Sequence, residues 1–166
     1  MLLIIEGNEG TGKTTLIEQL SKSLVFATVK YPKEFKNTYD MLDNFAKSKN
    51  LFVCDRSFIS DMVYRRLDHK TGQMTLYQIG KLCCDNSCNI KIVFCFNENA
   101  FKNAIARGED NITVESVHKT LDNEFYSVRN LINCFTCIET FDYDYEYNSV
   151  DDVVGYVKRG WYENRT

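Results

Sequence analysis

The chain has 166 residues, 44% of them apolar and 26% charged, with a formal net charge of −3 and a pI of about 5.4. That length suits one ordinary domain with a sizeable core. The acidic balance argues against a nucleic-acid polymer as partner, because neutralising many phosphates needs a basic surface, and it leaves a small substrate as the default.

The chain opens with Met1-Leu-Leu-Ile-Ile-Glu6, an apolar run too short for a signal-peptide core and without basic residues before it. No later stretch approaches the ~20 apolar residues that span a bilayer. A soluble, cytoplasmic protein that does not enter membranes is therefore expected. Leu2–Glu6 reads as a buried strand. Lys13–Leu24 reads as a helix with Leu16, Ile17, Leu20 and Leu24 on one face. A second strand is expected over Val25–Lys30, a helix over Phe35–Lys47 and an apolar strand over Leu51–Cys54. Helices follow over Phe58–Arg66 and Leu76–Cys84, separated by a turn around Lys70-Thr-Gly72. Ile90–Phe96 reads as a fourth strand and Ala100–Arg107 as a helix. Thr113 is placed to cap a longer helix that carries Val114, Val117, Leu121, Phe125 and Val128 at spacings of three and four. A fifth strand is expected over Cys134–Glu139 and a last helix over Val150–Lys158. Continuous apolar strands alternating with helices predict a parallel sheet covered on both faces, with ligands beyond the carboxyl ends of its strands.

The residues Gly7-Asn8-Glu9-Gly10-Thr11-Gly12-Lys13-Thr14 match GxxxxGK[ST], between a strand and a helix as that motif requires. Glycines let backbone N–H groups turn inward around a phosphate, and the helix N-terminus adds partial positive charge. Lys13 then reaches the β and γ oxygens of ATP, and the Thr14 hydroxyl ligates Mg²⁺. Leu51-Phe-Val-Cys-Asp55 is an apolar strand ending in a carboxylate, as in a Walker-B element. Asp55 can orient Mg²⁺ through water; the bland alternative is a surface pair with Arg56. The Arg56 guanidinium can hold two phosphate oxygens at once, or can pair with Asp55 or Glu9. Ala104-Ile-Ala-Arg107-Gly108-Glu109-Asp110-Asn111 is a helix end followed by a polar loop; its spacing favours an ordinary helix end over an arm that brings Arg107 to a phosphoryl group.

The seven cysteines are read as reduced structural thiols rather than a zinc site. The Cys134/Cys137 pair falls in a strand-like run that would point the two thiols to opposite faces. His69 and His118 lie outside every motif and receive no role.

Ile5-Glu6-Gly7-Asn-Glu9-Gly-Thr-Gly-Lys-Thr-Thr15 resembles the opening of thymidylate kinases, IEGxEGxGKTT. Cys54-Asp55-Arg56-Ser57 with Ser60 and Tyr64 is similar to their DRYxxSxxAY stretch. Ala106-Arg107-Gly108-Glu109, with Glu115 and Phe125 downstream, resembles their lid and the helix after it. Val29-Lys-Tyr31-Pro32 is similar to their strand ending in Phe-Pro or Glu-Pro. Asn8 and Ser57 also resemble deoxynucleoside kinases, whose motifs are EGNxGxGKS and ERS.

The resemblance implies a three-layer α/β/α P-loop kinase fold with a five-stranded parallel sheet and a small lid. Residues 1–166 would form one kinase domain, with the lid about 103–113 and a shortened acceptor-binding segment about 31–50. Only eighteen residues separate Pro32 from Leu51, where thymidylate kinases hold a longer helical segment. ATP and Mg²⁺ would be bound by Gly7 to Thr15, with the metal at Thr14 and Asp55. Lys13, Asp55, Arg56 and Arg107 would be catalytic. Glu9 would meet the acceptor's 3′-hydroxyl, and Tyr31, Arg56, Ser60 and Tyr64 would line the acceptor site. The implied reaction is γ-phosphoryl transfer from ATP to a deoxynucleoside monophosphate, with dTMP favoured. The alternatives are a deoxynucleoside kinase acting on a 5′-hydroxyl and a catalytically silent ATP-binding protein. Nucleotides are the expected partners, and the family's habit implies a homodimer. The tail Phe141-Asp-Tyr-Asp-Tyr-Glu-Tyr147 is similar in position to the loop that borders adenine in these kinases, though an exposed loop fits it as well.

Overall fold

The computed structural model describes residues 1–31, 37–70, 73–108 and 114–163. Five strands form one parallel sheet: β1 (Leu2–Glu6), β2 (Ala27–Lys30), β3 (Phe52–Asp55), β4 (Ile90–Cys95) and β5 (Thr140–Tyr143), in the spatial order β2-β3-β1-β4-β5. The helices are α1 (Lys13–Leu20), α2 (Thr38–Lys47), α3 (Phe58–Leu67), α4 (Leu76–Asp85), α5 (Ala100–Ala106), α6 (Glu115–Asn133) and α7 (Val150–Glu163). Register is fixed by pairs such as Ile5 with Asp55 and Ile5 with Val93.

Strand alternation divides the core in two. Leu2, Ile4, Ile90, Ile92 and Phe94 face a layer built from α2, α3, α4 and α6. Leu3, Ile5, Val93 and Cys95 face the opposite layer, where Leu16 and Leu20 of α1 meet Val153, Tyr156 and Val157 of α7. Central strands buried on both faces can be largely apolar: β1 is apolar up to its last residue, Glu6, and β4 apart from Lys91, and both charged residues are buried. The edge strand β2 is mostly exposed. Its expected start moves from Val25, which is 90% exposed, to Ala27.

Local chemistry sets several helix ends. Ser57 caps α3, its Oγ accepting from the Ile59 N–H at 3.2 Å. Thr75 and Gln78 form a reciprocal capping box at α4. Helix α1 stops at Leu20, short of the expected Leu24, and Leu24 is buried after a turn.

Two expectations are corrected. The fifth strand is not Cys134–Glu139: α6 runs to Asn133, Cys134 is its C-cap, and the chain turns before entering β5 at Thr140. The opposite-faces argument for Cys134 and Cys137 therefore lapses, and both are free thiols on that turn. In α6, Val114 and Val117 are exposed, and the inward stripe is His118, Leu121, Phe125, Val128 and Ile132. A polar residue occupies the first inward position, so the apolar pattern alone chose the wrong phase there.

Pro32, Phe35, Lys36, the turn residues Thr71 and Gly72, Glu109 to Asn111 and the Thr113 cap lie outside the described residues. Among the described residues no helix is long and apolar enough to cross a membrane.

Candidate active site

The loop after β1 is shaped by three glycines at positive φ: Gly7 (142°), Gly10 (76°) and Gly12 (86°). Their need is steric as well as conformational. A Cβ on Gly7 would stand 2.3 Å from the Cys95 carbonyl oxygen, and one on Gly10 would stand 1.9 Å from that of Ala100. The loop thus lies directly against the end of β4 and the first turn of α5. On its other side the Tyr145 ring packs over Gly12, 3.0 Å from where a Cβ would be. The Tyr145 hydroxyl accepts from Asn103 Nδ2 at 2.7 Å and donates to Asn97 Oδ1 at 2.9 Å. The acidic, aromatic tail is therefore part of the loop's wall.

Lys13 is buried, and its Nζ donates to the Asn8 carbonyl across the loop. Thr11 Oγ1 donates to the same carbonyl at 2.8 Å. Burial, and then the nearby Arg56 charge, pull the Lys13 pKa down to about 8. A phosphate would supply the counter-charge that the carbonyl lacks. Thr14 and Thr15 open α1 with exposed side chains.

Asp55 ends β3, half-buried. Arg56 follows in a left-handed conformation, φ 67°, uncommon for a residue with a Cβ, and its N–H donates to the Ile5 carbonyl at 3.1 Å. This turn aims the guanidinium at the loop. Nη1 donates to the Tyr64 hydroxyl at 3.0 Å, the guanidinium carbon lies 5.5 Å from the Tyr64 ring centre, and Nη2 lies 4.0 Å from Glu9 Oε1. Tyr64 packs edge-on against Phe125. Glu9, Arg56 and Tyr64 thus come together beside Lys13, and Arg56 pairs with Glu9 rather than Asp55.

Ser60 is placed differently from the acceptor role expected of it. It is buried, and its Oγ donates to Glu6 Oε2 at 2.5 Å. Glu6, fully buried, also accepts from Ser57 Oγ at 2.7 Å and the Ser60 N–H at 3.2 Å. Burial pushes its pKa up, and the serine donors and Arg56 oppose that. Glu6 locks the Asp55-Arg56-Ser57 turn to β1; the sequence marked it by its place at the end of an apolar run and in the Ile5-Glu6-Gly7 match, without giving it a role. Tyr31 is half-buried after β2, next to Thr38, and burial raises its phenol pKa. Arg107 is the exposed C-cap of α5, with Gly108 at φ 65° behind it, the arrangement of an ordinary helix end.

Sequence reasoning missed a second buried polar group. Asn8, 1% exposed, donates from Nδ2 to Asp122 Oδ1 at 2.9 Å and to the His118 carbonyl at 3.1 Å, and its Oδ1 accepts from the Glu9 N–H at 2.8 Å. The His118 ring reaches Asp122 Oδ2 and the Glu9 carbonyl, each at 3.1 Å. The available signal was a His and an Asp four apart on a predicted helix.

A glycine cradle with a buried lysine, a hydroxyl at the helix start and a carboxylate at the next strand's end offers hard oxygen donors suited to Mg²⁺ beside phosphates. The parallel sheet and this loop together define a P-loop fold. The chain belongs to the family described as Novel STAND NTPase 3, which matches residues 1–131. No curated protein matches it. Among solved structures it is similar to the YorR protein of Bacillus subtilis in complex with phosphorylated GDP, at 19% identity and TM-score 0.77, covering 95% of this chain and 96% of that one. It is also similar to deoxyadenosine kinase from M. mycoides with bound dCTP, at 17% identity and TM-score 0.58, covering 96% and 100%. Shikimate kinase from Acinetobacter baumannii, with shikimate, follows at 10% identity and TM-score 0.54, covering 99% and 94%. At these identities the likeness shows the fold alone.

Proposed function

We propose that the protein transfers the γ-phosphoryl group of ATP to a deoxynucleoside monophosphate, with dTMP the favoured acceptor. The observation that carries this reading is the Arg56 guanidinium, held by Tyr64 at 3.0 Å and facing Glu9 at 4.0 Å beside the Lys13 loop. A fork so placed suits a charge shared between donor and acceptor phosphates. Lys13 holds the β and γ oxygens, and Glu9 meets the acceptor sugar. An acceptor phosphate is already ionised, so positioning and charge neutralisation supply most of the rate. Thr14 and Asp55 would hold Mg²⁺, which offsets charge on the phosphate oxygens when bound. In this reading residues 1–166 act as one domain, with a lid about 103–113 that carries Arg107 to the site.

A second reading, a deoxynucleoside kinase, draws support from the full-length likeness to deoxyadenosine kinase. Asp55 then serves as general base for a 5′-hydroxyl. The test is ADP release from Mg·ATP against dTMP, dUMP, dGMP, GMP, thymidine, deoxyadenosine and deoxycytidine. Turnover highest with dTMP is the expected result. Turnover with nucleosides alone would replace the first reading with the second. ATP binding without ADP release on any acceptor would overturn both.

A further inference from the structure

We infer that His118 is a positioning residue for the phosphate-binding loop: from α6 it fixes the Glu9–Gly10 peptide plane and so sets how tightly the loop holds a triphosphate. The inference rests on the nucleotide-binding reading of that loop.

The geometry is specific. His118 is 1% exposed, and its ring is held on three sides. Nδ1 faces Asp122 Oδ2 at 3.1 Å, the Phe101 ring of α5 packs against it at 66° with 5.5 Å between ring centres, and Nε2 faces the Glu9 carbonyl oxygen at 3.1 Å. A carbonyl has no proton to give, so Nε2 donates. In a trans peptide the C=O and the following N–H point to opposite sides. Holding the Glu9 C=O toward α6 therefore turns the Gly10 N–H away from α6, the orientation a phosphate-facing donor of such a loop needs. Asn8 reinforces the same joint. It binds Asp122 and the His118 carbonyl with one end of its amide and the Glu9 N–H with the other. Two consecutive peptides of the loop are thus fixed by a helix more than a hundred residues downstream. Rigid pre-orientation of donors is what gives such loops their affinity, because no reorganisation is needed when the anion arrives.

His118 touches no phosphate itself, so its test must separate the Nε2 link from general packing. An asparagine amide nitrogen can occupy the place of Nδ1, and a glutamine amide nitrogen that of Nε2. Mg·ATP affinity is measured by calorimetric titration for wild type, His118→Phe, His118→Asn and His118→Gln, with melting temperatures alongside. His118→Phe and His118→Asn should each bind about tenfold more weakly, the effect of losing one oriented hydrogen bond. His118→Gln should recover most of that loss even where its melting temperature falls as far as that of His118→Asn. Equal weakening in all three variants would overturn the inference, since packing alone would then explain it. So would affinities all within twofold of wild type. Should the Phe variant fail to fold, the Asn and Gln pair decides. Lys13→Ala is the control for the underlying reading: a wild type that binds Mg·ATP no better than Lys13→Ala would sink the nucleotide-binding reading, whereas the outcomes above sink only the role of His118.

Discussion

Raising the pH from 7 to 9 should weaken Mg·ATP binding about tenfold, and Lys13 is the reason. In the empty site burial and the neighbouring Arg56 charge hold its pKa at about 8, against 10.5 for an ordinary lysine. A bound triphosphate restores the charged form. If the bound lysine returns to 10.5 or above, binding at pH 8 takes up about half a proton, and affinity falls about tenfold between pH 7 and pH 9. Folding stability should move the other way. A depressed lysine pKa means that the unfolded chain binds the proton more tightly, so the empty protein gains stability as pH rises from about 8 to 10.5. Calorimetric titration in buffers of different ionisation enthalpy reads the proton uptake directly. Lys13→Arg stays charged throughout and should bind with no such slope over that range. An equal slope in Lys13→Arg, or no proton uptake by wild type at pH 8, would refute the reasoning.

Arg56→Ala should shift the same pH profile upward, because the Arg56 charge lowers the Lys13 pKa; an unchanged midpoint would show that the two do not interact. Arg56→Lys cannot span Tyr64 and Glu9 with one fork, and should lower turnover about 10²- to 10³-fold in the acceptor assay; turnover within threefold of wild type would remove Arg56 from the mechanism. Gly10→Ala adds a Cβ 1.9 Å from the Ala100 carbonyl oxygen at φ 76°, and should cost about 2–4 kcal/mol in denaturant unfolding; a loss under about 1 kcal/mol would mean that α5 moves freely away. Glu6→Gln tests the buried carboxylate. Its raised pKa means that its contribution to stability is fully present at acid pH, below the ordinary value of 4.5, and is lost as pH rises through the folded value. The variant should therefore gain relative to wild type as the pH is raised from acid to neutral, and a pH-independent difference would show that Glu6 does not titrate as its burial implies.

The sequence alone determined the class of this protein. A strand, a GxxxxGK[ST] loop and a helix are consecutive, and the loop's chemistry is written in residues that act through their own backbone. The strand at Leu2–Glu6 was legible because a central strand buried on both faces favours a continuous apolar run, here Leu2 to Ile5. The helices over Phe58 and Leu76 were legible because Ser57 and Thr75 cap them locally. What sequence could not supply were the choices made between distant segments. The last strand fell at Thr140–Tyr143 rather than on the more apolar Cys134–Glu139, because α6 continued to Asn133 and an edge strand needs only one covered face. Strand order brought Asp55 beside Ile5, which set the Arg56 turn and its aim at Glu9. Packing of α6 on the loop joined Asn8 to Asp122 across 114 residues and buried His118 against Glu9. Periodicity reports which side of an element is apolar. It carries no record of which polar groups meet once two elements touch, and those meetings were decided by the requirement that each buried donor and acceptor find a partner.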